Sequence, residues 1–390
     1  MRPGTPGFIG SQLRFAREAR DITAVALADI LGVTHAAVSQ YESGMQTPSP
    51  AVMQQMATAL NLPFDHFLSK EVPDVGTIFF RSLNSATKRS RLRAERRFQW
   101  LRKICAVLWT FVEAPRVCFP TLTLPADPRE ISDQDIEDIA ASVRSQWEMT
   151  EDPIGNVVWL LENHGFIVAR QLFDSETLDA FSEWCESEAR PYLVLSTNKA
   201  SSVRSRFDAL HEFGHMLLHR KLLPSWLTEK TNLQLLEKQA HRFASAFLLP
   251  RNSFAADLRT VSLDALLPLK MKWRVSVAAM CKRLVDIGFI SDSEYSRLCR
   301  NMSRRGWRRN EPYDDAIPIE RPYYLQRSFE VLAKEGLLHQ AMLERKTQLF
   351  ISEIQELVSA DDDWLLQLVK NRAEESCLQP QLLRFPRSTE

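Results

Sequence analysis

The chain has 390 residues, of which 45% are hydrophobic and 25% charged, and its formal net charge is zero. A chain of this length is expected to fold into roughly two to four domains with sizeable cores, and the balanced charge excludes a global electrostatic attraction to nucleic acid or membranes. The cysteines show no Cys-x-x-Cys spacing, no signal peptide is recognisable, and no apolar run approaches the roughly 20 residues that span a bilayer, so we expect a cytoplasmic protein with reduced thiols.

The N-terminal residues 10–68 have the apolar spacing of five short helices. Thr23 and Thr34 stand where an N-cap would begin the second and third helices, since a threonine hydroxyl can accept a bond from an unpaired backbone N–H. Small residues at Ala28 and Gly32 are predicted to mark the place where the two central helices touch.

This region resembles the Xre/Cro helix-turn-helix family. The residues that carry the resemblance are Leu27, Ala28, Leu31, Gly32, Val33, Thr34, Val38, Ser39, Tyr41, Glu42 and Gly44. The resemblance implies that the third helix enters the major groove of an operator in double-stranded DNA and that the protein binds as a homodimer. The side chains expected to face DNA are those of His35, Ala36, Ser39 and Gln40. Gln40 would bind adenine through two hydrogen bonds, and Ala36 would contact a thymine methyl group.

Charge in this part of the chain is unevenly distributed. Basic and acidic residues balance over residues 1–70, so an alternative to DNA binding is a helical bundle that contacts only proteins. Residues 81–103 then contain one acidic residue, Glu95, and a run of basic ones: Arg81, Lys88, Arg89, Arg91, Arg93, Arg96, Arg97, Arg102 and Lys103. This run is either a solvated linker helix or a set of phosphate contacts. We expect a DNA-binding domain over residues 1–72, followed by a basic linker helix and an extended crossing over residues 73–130.

Residues 206–219 contain the motif His-Glu-x-x-His. On a helix, His211 and His215 lie one turn apart on one face and can hold Zn²⁺, while Glu212 can act as general base on a metal-bound water. Glu237 begins a second apolar helix pattern, and its carboxylate could complete a His₂Glu site with an open fourth position. Histidine pairs at this spacing also occur as surface or core residues without a metal.

These residues resemble the ImmA/IrrE metallopeptidase domain over roughly residues 154–250. The pattern is Arg-x-x-x-x-His-Glu-x-x-His-x-x-x-His followed by Glu-x-x-Ala-x-x-Phe-Ala-x-x-Leu-Leu-x-Pro, from which this chain departs at Phe247 and at His241, where the family commonly has asparagine. The zinc ligands that the resemblance implies are His211, His215 and Glu237, with Glu212 as the catalytic base. Gly214 and Ala240 are small enough to let the two helices pack closely.

For other polar residues near the motif, the sequence allows more than one role. His219, one turn beyond His215, is expected to support the site through a hydrogen bond, with metal ligation or oxyanion stabilisation as alternatives. His241 is an alternative ligand or a second supporting residue. Arg204 and Arg206 are expected either to bind a carboxylate or to form pairs on the protein surface.

The predicted fold class is α+β and predominantly helical. Residues 131–260 would form the zincin-like domain with a small sheet, in which residues 165–169 and Arg190–Ser196 are strand-like. We predict that the second strand lies at the sheet edge and binds substrate backbone by strand addition. Residues 261–390 have helical periodicity and no recognisable chemistry.

These observations predict a DNA-binding transcriptional regulator with a zinc-dependent endopeptidase domain that cleaves a regulatory protein under a stress or inducing signal. The expected partners are an operator and a protein substrate, with Zn²⁺ as cofactor and no membrane. One alternative is a non-proteolytic regulator or antitoxin whose zinc domain senses a ligand or a metal. Another is a housekeeping peptidase whose N-terminal helices recruit partners.

Overall fold

The computed structural model describes residues 4–69, 87–173, 178–198, 201–223, 226 and 229–370. Within these ranges the chain forms seventeen α-helices and one three-stranded sheet, so the predominantly helical α+β class is confirmed. None of the described helices combines the length and apolar composition needed to cross a membrane.

The five predicted N-terminal helices are present. They are α1 (Gly10–Ala19), α2 (Ala24–Leu31), α3 (His35–Glu42), α4 (Pro50–Leu60) and a 3-10 helix (Phe64–Leu68). The hydroxyls of Thr23 and Thr34 accept hydrogen bonds from the backbone N–H groups of Ala26 and Ala37, as expected of N-caps. Gly32 does not have the predicted contact role, because a Cβ there would meet no atom within 4 Å. Its φ of +63° instead shows that it supplies the left-handed conformation that ends α2.

The basic run forms α5 (Lys88–Leu108), which packs against α1 and carries arginines that pair inside the protein. Arg96 contacts Glu18 at 2.9 Å, and Arg102 contacts Glu188 at 2.9 Å. Arg89 pairs with Asp21. Arg81 lies outside the described residues. Because these guanidiniums already have acidic partners, the structure does not favour phosphate contact for them. Burial of Phe98, Trp100 and Leu101 shows that α5 is a packed helix of the core and not a solvated one.

The sheet has the strand order β1-β3-β2, which corrects one prediction. Its strands are β1 (Ile167–Gln171), β2 (Ala180–Cys185) and β3 (Arg190–Ser196). β3 pairs in parallel with β1 and antiparallel with β2, so the prediction that Arg190–Ser196 is the edge strand was wrong. β3 is the central strand, and β2 lies at the edge next to it. The sequence did not indicate β2 because Ser182 and Glu183 interrupt its apolar pattern.

The sheet separates two hydrophobic cores. On one face lie α6 (Asp133–Gln146), α7 (Val157–Asn163), α8 (Ser202–His219), α9 (Lys230–Leu248), α10 (Arg251–Asp257), α11 (Leu263–Trp273), α12 (Val277–Asp286) and α13 (Asp292–Arg304). On the other face, the N-terminal helices and α5 share a core with α14 (Tyr324–Lys334), α15 (Gln340–Thr347), α16 (Ile351–Leu357) and α17 (Trp364–Lys370). Helices beyond residue 260 therefore contribute to both cores.

Charged groups join the N-terminal helices to α16. Arg97 of α5 is buried and contacts Glu353 at 2.9 Å and Glu356 at 2.7 Å. Arg20, the residue that follows α1, also pairs with Glu353. The ring of His66 bonds through Nδ1 to the carbonyl oxygen of Gln348 at 3.2 Å. The N-terminal domain is thus docked on the C-terminal helices through buried polar contacts.

Buried carboxylates hold helix N-termini in both cores. Glu320 accepts the backbone N–H groups of Val157 and Val158 at the start of α7, and it pairs with buried Arg206. Arg206 therefore forms an ion pair, but a buried one and not the surface pair that was one of its two predicted roles. Glu162, at the end of α7, accepts the backbone N–H groups that begin α14, at 3.0 Å.

Candidate metal centre

The His-Glu-x-x-His motif lies on α8, which packs lengthwise against α9. Close approach depends on Gly214, since a Cβ built there would lie 3.0 Å from the Phe243 ring and 3.4 Å from the Ala240 backbone. The predicted roles of these two small residues in helix packing agree with this contact. As a result, histidines of α8 and a carboxylate of α9 face each other.

Three of the predicted side chains come together, and we call them the His/Glu trio: His211, His215 and Glu237. The Nε2 atoms of the two histidines are 3.0 Å apart, and the His211 Nε2 atom is 3.3 Å from a Glu237 carboxylate oxygen. Tetrahedral zinc with bonds of about 2.0–2.1 Å would place its ligand atoms about 3.3 Å from one another. The spacing and donor types therefore fit a zinc ion.

The three side chains of the trio differ in their exposure to solvent. His215 is buried, whereas the His211 side chain is 13% exposed and that of Glu237 is 38% exposed. Glu237 is therefore the most exposed member of the trio.

Glu212 lies outside the trio and faces the sheet. It is 4% exposed, and a carboxylate oxygen accepts the hydroxyl of Ser182 on β2 at 2.8 Å. The Glu212 carboxylate is therefore directed toward β2.

A chain of hydrogen bonds determines the tautomer of His215. The Gln239 side-chain nitrogen donates to the carbonyl oxygens of Pro128 and Ile131, at 2.7 and 3.3 Å, so its oxygen is the atom that meets His219 Nε2 at 3.0 Å. His219 Nε2 therefore carries the proton, and His219 Nδ1 accepts from His215 Nδ1 at 2.7 Å. This leaves the lone pair of His215 Nε2 directed at the trio.

The predicted DNA-contacting residues lie together on α3, in the positions that the sequence indicated. His35, Ala36 and Ser39 are exposed, and Gln40 is half-buried. The helix begins at the Thr34 cap and buries Val38 against the core, so the exposed residues share its opposite face.

Family comparisons agree with both parts of this geometry. The family described as the IrrE N-terminal-like domain, a peptidase family, matches residues 161–285, and the helix-turn-helix family matches residues 13–67. The chain joins a helix-turn-helix domain to an IrrE N-terminal-like domain.

Two curated relatives match the helix-turn-helix domain. Over 62 residues the chain is 39% identical to the HTH-type transcriptional repressor RghR of Bacillus subtilis (strain 168), covering 16% of this chain and 46% of that protein. Over 61 residues it is 36% identical to the uncharacterized HTH-type transcriptional regulator RghRB of the same organism, covering 15% and 44%. The chain spans less than half the length of the curated relatives it matches.

The remaining predicted residues of the IrrE N-terminal-like domain lie around the trio. His241 bonds through Nδ1 to the backbone oxygen of Glu237 at 2.8 Å, and its ring centre is 4.3 Å from that of His211. Arg204 donates to the backbone oxygens of Arg308 and Arg309, at 2.9 and 2.6 Å, and so binds carbonyl groups within the protein.

Sequence reasoning missed two residues of this site, Ser182 and Gln239. Ser182 lies on a strand that was not predicted. Gln239 lies within the Glu-x-x-Ala stretch and is buried. A glutamine inside an otherwise apolar helix pattern was the sequence signal for a hydrogen-bonding role.

Proposed function

We propose that this protein is a DNA-binding transcriptional regulator whose IrrE N-terminal-like domain cleaves a regulatory protein in response to a signal. The observation that carries the peptidase half is the His/Glu trio, with Glu212 next to His211 in the sequence. The family match over residues 161–285 supports the same reading.

Each side chain has a separate part in this proposal. His211, His215 and Glu237 would hold Zn²⁺, which when bound lowers the pKa of a coordinated water and polarises a carbonyl group. Glu212 takes the proton of the attacking water and returns it to the leaving amine. The Ser182 hydroxyl orients that carboxylate.

The DNA half of the proposal rests on α3. Exposed His35, Ala36 and Ser39 lie on this helix together with half-buried Gln40, and the RghR match over the same domain supports operator binding with repression as the outcome. We assign a homodimer on two half-sites about one helical turn apart, since helix-turn-helix dimers read DNA in that way.

The test is the Glu212→Gln variant of the full chain. Because Glu212 is outside the trio, the variant should keep Zn²⁺, thermal stability and binding to a fragment of its own promoter region, measured beside random DNA. Its cleavage of a proteome-derived peptide library should fall by roughly 10²–10⁴-fold, as expected for loss of a general base. The matched control is Glu335→Gln, because Glu335 is exposed and lies at the end of α14, on the other side of the sheet. This variant should leave cleavage unchanged.

One observation favours a second candidate, a zinc domain that senses a ligand without proteolysis. Glu212 is buried and already bonded to Ser182, an arrangement that also suits a structural carboxylate. A sensor needs no general base. If a reporter gene controlled by the protein responds equally in the parent and in Glu212→Gln, and candidate regulators stay intact on immunoblots, the sensor replaces the peptidase.

A further inference from the structure

Helix α13 presents arginines on one exposed face. Arg297, Arg300 and Arg304 recur at spacings of three and four residues, which places them on the same side of an α-helix, and all three are exposed. Leu298 and Met302 lie on the other side and are buried in the core. We call the three arginines the arginine face of α13.

The charge of this face is largely left uncompensated. Neither Arg300 nor Arg304 forms an ion pair with any residue that the structure describes. Arg297 has one acidic neighbour, Glu294, which precedes it by about one helical turn. The arginine face therefore offers guanidinium groups to a partner, in contrast to the arginines of α5, which pair inside the protein.

The composition around the face suits phosphate groups better than a protein partner. Residues 295–310 contain no acidic side chain, and every basic residue among them is arginine, which can bind a phosphate through two hydrogen bonds. Protein–protein interfaces usually contain an apolar centre, whereas protein–DNA interfaces are more polar and more positively charged. The other exposed positions along this face are serines, whose hydroxyls also contact phosphates: Ser293, Ser296 and Ser303.

The helix-turn-helix domain itself has little charge to offer DNA. Basic and acidic residues balance over residues 1–70. Affinity for duplex DNA depends on the number of phosphates that a protein neutralises. Cations outside this domain are therefore needed for tight binding, and the arginine face has them.

The arginine face and the N-terminal domain border the same end of the sheet. Arg204, at the start of α8, donates to the backbone oxygens of the segment that follows α13. Arg170 of β1 donates to the Ser205 hydroxyl of α8 at 2.9 Å. At the end of β1, Gln171 lines a small cavity together with Asp21 of the N-terminal domain. Contact of both parts with one stretch of DNA requires such an arrangement.

We propose that the arginine face of α13 binds the phosphate backbone of duplex DNA that flanks the operator. The inference rests on the proposed DNA-binding function and adds the surface that supplies sequence-independent affinity. In this division, α3 reads base edges and α13 neutralises phosphates.

The experiment measures binding of the full chain to a fluorescent duplex of random sequence, by anisotropy at salt concentrations between about 50 and 200 mM. In the double variant Arg300→Gln/Arg304→Gln, two phosphate contacts are lost. The slope of log affinity against log salt should therefore decrease in magnitude by about 2, and affinity at about 150 mM salt should fall at least about tenfold. Preference for a fragment of its own promoter region over random DNA should remain.

Two further variants assign the effect to charge at this place. Arg300→Lys/Arg304→Lys keeps both charges and should keep the salt slope. Lys221→Gln/Lys230→Gln also removes two exposed charges and is the matched control. These lysines follow the far end of α8, about 27 Å along the helix from its start, and the slope should not change. Thermal unfolding shows that each variant is folded.

The outcomes separate this inference from the proposed function. An unchanged slope in the glutamine variant, with promoter preference intact, would overturn the role of the arginine face and leave operator binding standing. A reduced slope without promoter preference in the parent would support phosphate binding by the face and overturn operator recognition. Polyglutamate that competes as well as a duplex of equal charge would show that the face accepts acidic protein, and would overturn the assignment to DNA.

Discussion

His215 can offer its Nε2 atom to a metal only in the tautomer that carries its proton on Nδ1, and that tautomer depends on residues outside the trio. Gln239 is oriented by two backbone carbonyl oxygens, and it orients His219, which in turn accepts from His215 Nδ1. Hydrogen bonds of this kind hold a ligand in position and raise its basicity. Part of the metal affinity should therefore reside in His219.

His219→Phe keeps an aromatic ring but removes the acceptor, so we expect zinc affinity to fall by about 10–100-fold. His219→Asn places an acceptor oxygen on Cγ, where histidine carries Nδ1, and should recover most of that loss. Affinity is measured by competition with a chromophoric zinc chelator. His164→Phe is the control, because that histidine stacks on Trp147 away from the trio and should leave affinity unchanged. Equal affinity of His219→Phe and the parent would contradict the relay.

The pairing of α8 with α9 brings the trio together, and its closest point is Gly214. Helix propensity alone would favour valine over glycine there. Packing predicts the reverse, since a Cβ would lie 3.0 Å from Phe243 and 3.4 Å from the Ala240 backbone. Gly214→Val should destabilise the protein by about 1–3 kcal/mol, and zinc affinity should fall with it because the histidines and Glu237 lie on different helices. Thermal unfolding and zinc titration are the measurements.

The same substitution at Gly155, where a Cβ would meet no atom within 4 Å, is the matched control. It should leave zinc affinity unchanged. A Gly214→Val variant that is as stable as the parent would show that the helices can separate without cost, against the packing argument.

At the level of elements, the sequence was informative where local chemistry sets a boundary. The Thr23 and Thr34 caps predicted helix starts that the structure contains. β2 was missed because its inward-facing Ser182 serves the site and breaks the apolar pattern. The position of β3 in the sheet was predicted wrongly because strand order depends on contacts between distant segments, which alternation along one strand does not report.

Contacts between segments that are distant in the chain also limit what the sequence predicts for the whole molecule. The two histidines of the trio were predictable because their spacing is local, and Glu237 was predictable because it begins a second apolar helix pattern, which the family resemblance also contains. Docking of the N-terminal helices on α16 depends on Arg20, Arg97 and Glu353, whose partners are separated by more than two hundred positions in the chain. Such contacts leave no periodic signal. Their consequence is that the DNA-binding domain and the C-terminal helices share one core.

Glu162 joins the two cores. It lies on α7, which belongs to one core, and it accepts the backbone N–H groups at the start of α14, which belongs to the other. Burial raises the pKa of this carboxyl from 4.5 to about 7, with the two backbone N–H bonds acting in the opposite direction. The unfolded chain therefore loses this proton near pH 4.5, while the folded protein keeps it until near pH 7. Between these values the folded state binds more protons, so the Glu162 contribution to stability decreases as pH rises.

We expect the Glu162→Gln variant, which keeps an acceptor oxygen for α14 and cannot ionise, to lose this dependence. Relative to the variant, the parent should become less stable by at most about 3 kcal/mol between pH 4.5 and pH 7 and change little outside that window. The measurement is the difference in Tm between parent and variant at several pH values, and exposed Glu335→Gln, at the end of α14, is the control that should follow the parent throughout. Taking the difference cancels other titrating groups, including His66, whose pKa burial lowers to about 4 and whose contribution has the opposite sign in the same range. A difference that stays constant from pH 4.5 to pH 8 would mean that Glu162 is already ionised at the lower pH, and that α14 is held by a charged carboxylate instead of a neutral one.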